Sequence, residues 1–592
     1  MPVFSSRTVC LFFPIAAFFC SSIAWAQSDP AGFETIIDVP PASFENGVET
    51  ILSDTQVNVL DGGRVSARLS AGSFDGSDTN VEVNVFSDGV VFGTFMANRG
   101  SEVNVLGGTF GASNIGGDLR VNGGEVNVFD QSDIFLRLNV ADDGVVNVSG
   151  GTIHNLSGID DGTVVVSGGE VVLGTGFGLE RNGVLNVIGG EVSLAELGFF
   201  GSAGGTSVVS GGRIEELRSN IAMISGGVVT RSISAQSGQL TGGRQQTIRL
   251  GEGSTIVGGE FFLNGEPIAG SVTLEQPLFP SFFSSDTEVL TGTLADGAPF
   301  IFSSLGDQLD NVFLEQVTLP PVDLQPAVIG LGDVSRGLRE GQTLTIESGG
   351  SLGEAYASVN ATLRVEGGTV GDGLKLSGSD LSVGPGSNVG SGVTAFNSSV
   401  DLNGGRVGAD FAVRGGTDIR LAGGTIGRGL EIDENATATI VAGDFKLNGE
   451  SVTNSQVTLN RGSTDVLTGV FADGTPFAFS QRVGDSLNSQ ILIEQITLAD
   501  PSPSPIVVNG STTNVPAGLR PDQTLTVQDG GQLPEDFVVL ESTLNVEGGL
   551  VNQATEIVRS TVNVSAGEFG DPDGAFAELF GTAIQVWDRS TL

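Results

Sequence analysis

Val146-Asn147-Val148-Ser149-Gly150-Gly151 is the stretch that decides the fold. It returns as Val103-Asn104-Val105-Leu106-Gly107-Gly108 and Leu185-Asn186-Val187-Ile188-Gly189-Gly190, and again as Leu363-Arg364-Val365-Glu366-Gly367-Gly368 and Leu544-Asn545-Val546-Glu547-Gly548-Gly549. In each copy two apolar residues flank one polar residue. On a strand this alternation turns the apolar pair to one face and the polar residue to the other. The glycine pair that follows supplies the positive φ of a sharp corner. A phrase repeating on this scale marks a chain of stacked units. The expected class is therefore all-β: a parallel β-solenoid, read as a right-handed β-helix, with almost no helix.

Spacing sets the size of one turn. Glycine pairs begin at Gly150, Gly168, Gly189, Gly211, Gly226, Gly242 and Gly258, in steps of 15 to 22 residues. A second series runs through Gly349, Gly367, the Gly384-Pro385-Gly386 turn, Gly404 and Gly423, in steps of 17 to 20. No long 3.6-residue period competes, and glycine at this density would destabilise helices. One turn buries too few side chains to offset the entropy of ordering it, so the turns must stack and share their burial.

A longer duplication lies over the short one. Leu290-Thr291-Gly292-Thr293-Leu294-Ala295-Asp296-Gly297-Ala298-Pro299-Phe300 matches Leu467-Thr468-Gly469-Val470-Phe471-Ala472-Asp473-Gly474-Thr475-Pro476-Phe477. Phe262-Leu263-Asn264-Gly265-Glu266 matches Lys446-Leu447-Asn448-Gly449-Glu450, and Gln342-Thr343-Leu344-Thr345-Ile346 matches Gln523-Thr524-Leu525-Thr526-Val527. The offset is about 180 residues. The implied organisation is a leader at 1–26, a first solenoid at 27–260, and a Phe-rich β insert with a proline link at 261–325. A second solenoid follows at 326–444, a second insert and link at 445–505, and a partial third solenoid at 506–592.

The leader reads as a secretory signal. Arg7 precedes an apolar run from Val9 to Cys20, and Ala24-Trp25-Ala26 is a small-x-small cleavage site. Cys20 follows bulky Phe19, against a lipid-attachment signal. Both cysteines, Cys10 and Cys20, fall in this segment, so the exported chain would carry no disulfide and no thiolate metal ligand. No later stretch is long and apolar enough for a transmembrane helix. The 592-residue chain has 69 acidic against 26 basic residues and a formal charge of −43, a field that repels nucleic acid and anionic lipid. It attracts divalent cations, expected as non-specific partners only.

Chemical motifs are scarce. His154 is the one histidine, so triad chemistry would have to pass through it, yet it reads as an outward strand position. β-Helices also host polysaccharide lyases and pectin hydrolases, which makes the doublets Asp142-Asp143 and Asp160-Asp161 worth testing. Glycosidic cleavage needs two carboxyls about 5–10 Å apart with separated pKa values. Neighbours on a strand face opposite ways, so these doublets read as turn residues. Outside the leader only Tyr356 and Trp587 offer a tyrosine or tryptophan sugar platform. Asp75-Gly76-Ser77-Asp78 is a faint echo of a calcium loop, without the ligand spacing such loops need. No catalytic, cofactor or metal site is assigned.

The repeats, and above all the Leu-x-Gly-x-Leu-Ala-Asp-Gly-x-Pro-Phe phrase at 290–300, varied at 467–477, resemble exported bacterial glycine-rich repeat proteins. Both autotransporter passenger domains and planctomycete-type β-solenoid repeat proteins share the pattern. The resemblance implies an exported chain, at the cell surface, extracellular or periplasmic, in a structural or adhesive role with an envelope or extracellular partner. The alternatives are a carbohydrate-active β-helix enzyme and a cation-dependent binding module. One further expectation concerns the last turns, Glu541-Ser542-Thr543-Leu544-Asn545-Val546 and Arg559-Ser560-Thr561-Val562-Asn563-Val564. The chain closes on Asp588-Arg589-Ser590-Thr591-Leu592, the same opening without its continuation, so an uncapped β edge that pairs with other chains is expected there.

Overall fold

The computed structural model describes residues 32–44, 47–111, 117–194, 204–275, 287–330, 337–459, 465–480, 485–487, 491–502, 504–552, 554–570 and 584–587. The leader, with Cys10, Cys20 and its cleavage site, and the closing Asp588–Leu592 lie outside them. Among the described residues there is no α-helix, and short strands stack in parallel into a β-solenoid of about 26 turns.

The recurring phrase builds the stack as its period demands. Val103, Val126, Val146, Val164 and Leu185 follow one another in register on consecutive turns. Val105, Val128, Val148, Val166 and Val187 form a second column beside them, and all ten side chains are fully buried. Burying a side chain of this size contributes about 1.5–3 kcal/mol, so each turn is stabilised mainly by the column it extends.

The polar residue between the valines forms a ladder on the outer face. Asn147 donates to Asn127 Oδ1 at 2.9 Å, Asn127 to Asn104 at 3.0 Å, and Asn104 to Asn84 at 3.1 Å. Asn84 donates to Asn58 at 3.0 Å, and Asn58 to Asp38 at 2.9 Å. Val165 takes the next position and ends the ladder. Asn104→Val is expected to remove two of these bonds and lower stability by about 1–2 kcal/mol, read as a shifted denaturation midpoint.

Glycine pairs make the corners, where one member bends the chain and both lie close to the turn beneath. In Gly150-Gly151, Gly168-Gly169 and Gly189-Gly190 the second glycine has φ of +66°, +67° and +67°. The first sits against the turn beneath: a Cβ on Gly168 would lie 2.3 Å from the Ser149 carbonyl oxygen.

Among the described residues three large hydrophobic cores run inside the stack, one from Val39 to Leu314, one from Ile329 to Ile491 and one from Val508 to Val562. Each Phe-rich segment sits at the far end of one of the first two cores. Strand Thr255–Leu263 pairs in parallel with Gln308–Gln316 and antiparallel with Val289–Leu294, which forms a hairpin with Pro299–Ser303. The second copy repeats this with Thr437–Leu447, Ile491–Gln495, Val466–Phe471 and Pro476–Ser480. Phenylalanines plug the end of the barrel: Phe300 and Phe302 stack at 4.7 Å between centroids, and Phe471 and Phe477 at 4.4 Å.

The duplicated Ala-Asp-Gly phrase is the hairpin turn. Gly297 and Gly474 take φ of +90° and +92°, and the aspartate before each reaches back to a corner of the solenoid. Asp296 Oδ2 accepts the Gly243 N–H at 2.9 Å, and Asp473 Oδ2 accepts the Gly424 N–H at 2.7 Å. The repeated acid thus clips the cap to the glycine pair of an earlier turn.

Candidate functional site

The doublets singled out by sequence meet at one outer corner. Asp142, Asp143 and Asp161 have φ of +53°, +65° and +56°, so they are turn residues in the left-handed region that Asp tolerates. Together with Arg99, Thr163 and Asn182 they line an open groove. Arg181 pairs with Asp160 at 3.2 Å and with Asp161 at 3.1 Å, and Asn182 donates to Asp161 at 2.7 Å. The hydrogen bonds from Arg181 and Asn182 hold the Asp161 carboxyl below the usual carboxylate range. The corner keeps Asp161 ionised and tied to a cation, whereas acid–base work on a glycosidic bond needs one carboxyl raised.

The other candidates are satisfied locally. His154 lies in strand Thr152–Asp160, stacked on Phe135 at 4.1 Å with its Nε2 3.3 Å from Asp133. In the faint calcium echo, the Ser77 and Ser73 hydroxyls and the Ser77 N–H pull the Asp75 carboxyl down to about 2. Asp78 instead accepts from Ser53. Tyr356 is wholly buried in the second core and presents no platform. Strand Ile584–Trp587 extends the sheet of the third solenoid, but the Trp587 side chain lies outside the described residues. Among the described residues no group of three or more His, Cys, Asp or Glu side chains is placed to hold a metal ion.

The charged groups that the fold does bring together lie where one solenoid meets the next. At the first junction, cap residues Val289 and Ile301 pack on Ala357, Val359 and Phe396 of the second solenoid. Lys375 reaches across, donating to the carbonyl oxygens of Gln246 at 2.6 Å and Ile301 at 3.0 Å. Its Nζ stands 3.6 Å from Asp307, which is 1% exposed and accepts the Ile248 and Ser303 N–H groups, each at 2.8 Å. Burial pushes the Asp307 carboxyl up, and the ammonium and the two N–H groups pull it back. Arg213 adds a bridge to Glu354 at 3.1 Å.

The second junction is built on the same plan. Val466, Val470 and Ala478 of the second cap pack on Val538, Leu540 and Val558 of the third solenoid. Arg406 spans to Glu535 at 2.7 Å and Asp536 at 2.9 Å. Lys446 and Arg559 both pair with Glu541, whose carboxyl lies below its ordinary range; burial pushes it up, but the cations outweigh that. These junction residues were missed in the sequence, although one signal was there. Lys375 and Lys446 are the chain's only lysines, and each is spent on a junction.

Among the described residues no helix is long and apolar enough to cross a membrane. No protein-family model matches this chain, and none of the curated proteins compared with it is similar.

Proposed function

We propose that this chain is an exported structural repeat protein of the cell surface or extracellular space, serving as a stiff acidic spacer with adhesion as its outward role. The observation that carries this reading is the docking of consecutive solenoids. Each junction adds a buried apolar contact and ion pairs to the covalent link, so the three cores are coupled end to side. Repeat stacks gain reach by adding turns and present long regular faces for binding. The charge of −43 over such a surface keeps copies apart and draws counter-ions. The leader and the resemblance to passenger domains and planctomycete-type repeat proteins support export.

The test is surface accessibility on intact producing cells, with a pull-down from their envelope. Antibody binding and protease shaving without lysis are expected; a chain found only in the cytosol would overturn the reading. Depolymerisation of an acidic polysaccharide, lost in Asp160→Asn/Asp161→Asn, would replace it with the enzyme reading. A melting temperature raised by calcium well beyond sodium at matched ionic strength would favour the cation-dependent binding module.

A further inference from the structure

The two junctions are copies of one design with one telling exchange. Asp307 and Asp485 are equivalent: each accepts two backbone N–H groups, from Ile248 and Ser303 in the first copy and from Leu430 and Ser480 in the second. The strand facing them is equivalent too, with Ala357 opposite Lys375 in the first and Val538 opposite Glu556 in the second. Glu556 therefore stands where Lys375 reaches its buried aspartate. The second junction sets a carboxyl against a carboxyl.

Neither acid is open to water: Asp485 is 5% exposed and Glu556 8%. Both line a small, partly open space of about 30 Å³ between the second cap and the third solenoid, with Arg428 on its wall. Ligand pockets run to several hundred Å³, so this space suits a water and not a substrate. Among the described residues the charged groups lining it are Asp485, Asp536, Glu556 and Arg428, with the Arg406–Glu535 bridge beside Asp536. Arg406 is engaged by Glu535 and Asp536, and among the described residues the buried Arg428 Nε and Nη2 have no hydrogen-bond partner. Three carboxyls thus share the Arg428 guanidinium, with Arg406 bridging one of them, Asp536, from outside the space.

We propose that the third solenoid is held against the second cap by a protonated carboxyl pair, Asp485 and Glu556, and is released as the pair ionises. Burial pushes the Asp485 carboxyl up to about 7. Burial, reinforced by the charges of Asp485 and Asp536, drives Glu556 well above its ordinary value. Once undocked and hydrated, both acids return toward about 4. Docking therefore takes up protons: it is strongest below about pH 4 and weakens as pH rises through the docked values, about tenfold per pH unit for each group in between. The first junction has an ammonium in this place, so its sensitivity is that of one raised acid, Asp307, and not of a pair.

The measurement uses the full chain with one buried cysteine at either junction, Val538→Cys at the second or its equivalent Ala357→Cys at the first. Iodoacetamide labelling of each thiol reports opening, and the ratio of the two rates cancels the ionisation of the thiol itself. Between pH 5 and pH 8 the ratio of Val538→Cys to Ala357→Cys is expected to rise by about tenfold or more. Adding Glu556→Lys, which restores the arrangement of the first junction, should flatten it. The milder Glu556→Gln should reduce the rise and serves if the lysine variant does not fold. A flat ratio in the parent, or a rise unchanged by either substitution, would overturn the proposal. Surface accessibility on cells tests the proposed role separately and does not depend on this outcome.

Discussion

Lys375→Met is expected to cost about 3–5 kcal/mol, most of it as lost docking between the first and second solenoids, because it leaves a buried carboxylate without its cation. Asp307 is 1% exposed, and Lys375 is the cation set against it. The methionine keeps the apolar stem but loses the donors to the Gln246 and Ile301 carbonyl oxygens. Denaturant unfolding should show the second core separating from the first at lower concentration than in the parent. Asp307→Asn in the same chain should recover part of the loss by removing the uncompensated charge, although its amide nitrogen cannot accept one of the two N–H groups that the carboxylate accepts. The double-mutant cycle isolates the pair from the surrounding apolar contact. An equal cost in the single and double variants would mean that the pair contributes little and that the packing of Ile301 on Ala357 and Val359 holds the junction.

Gly169→Val carries the second large effect, expected at about 2–5 kcal/mol from a left-handed φ and a steric clash together. The residue has φ of +67°, and a Cβ there would stand 2.4 Å from the Gly151 carbonyl oxygen and 2.6 Å from the Gly150 carbonyl carbon. Both atoms belong to the backbone of the turn beneath, which cannot move without breaking the register above and below it. Gly265→Ala is the matching control. It too has a positive φ, +83°, but lies in an exposed Asn264-Gly265 hairpin turn with nothing within 4 Å of its Cβ position. Its cost should stay near the conformational term alone, about 1–2 kcal/mol. Equal midpoints for the two variants would refute the account of the corner as a place where backbones touch.

The turn-by-turn architecture was legible because everything that specifies it is local. Val146-Asn147-Val148 states which side chains enter the core, and Gly150-Gly151 states where the strand must bend. The repeated Ala-Asp-Gly phrase was legible as a duplication, and the structure makes it a hairpin turn. The Asp doublets, too, sit at corners as their residue type suggested. Less was legible at the glycine pairs: sequence called for positive φ at a corner, but not that both Gly168 and Gly169 also make room for the turn below.

The junctions are another matter. Gln246, Ile301, Asp307 and Lys375 carry no shared motif, and up to 129 residues separate the partners. The exchange of Lys375 for Glu556 lies inside a duplication that the sequence displays, yet its meaning depends on what faces it. A lysine and a glutamate are equally acceptable outward residues on a strand. Only when the cap of one solenoid covers that face does the position become buried, and only then does its charge matter. Sequence by itself determined the period, the class of the fold and the repeat of the modules, since these rest on alternation and backbone freedom within a few residues. Tertiary structure decided which outward faces are covered and which buried acids meet a cation, because desolvation depends on what packs over a side chain and not on its neighbours along the chain.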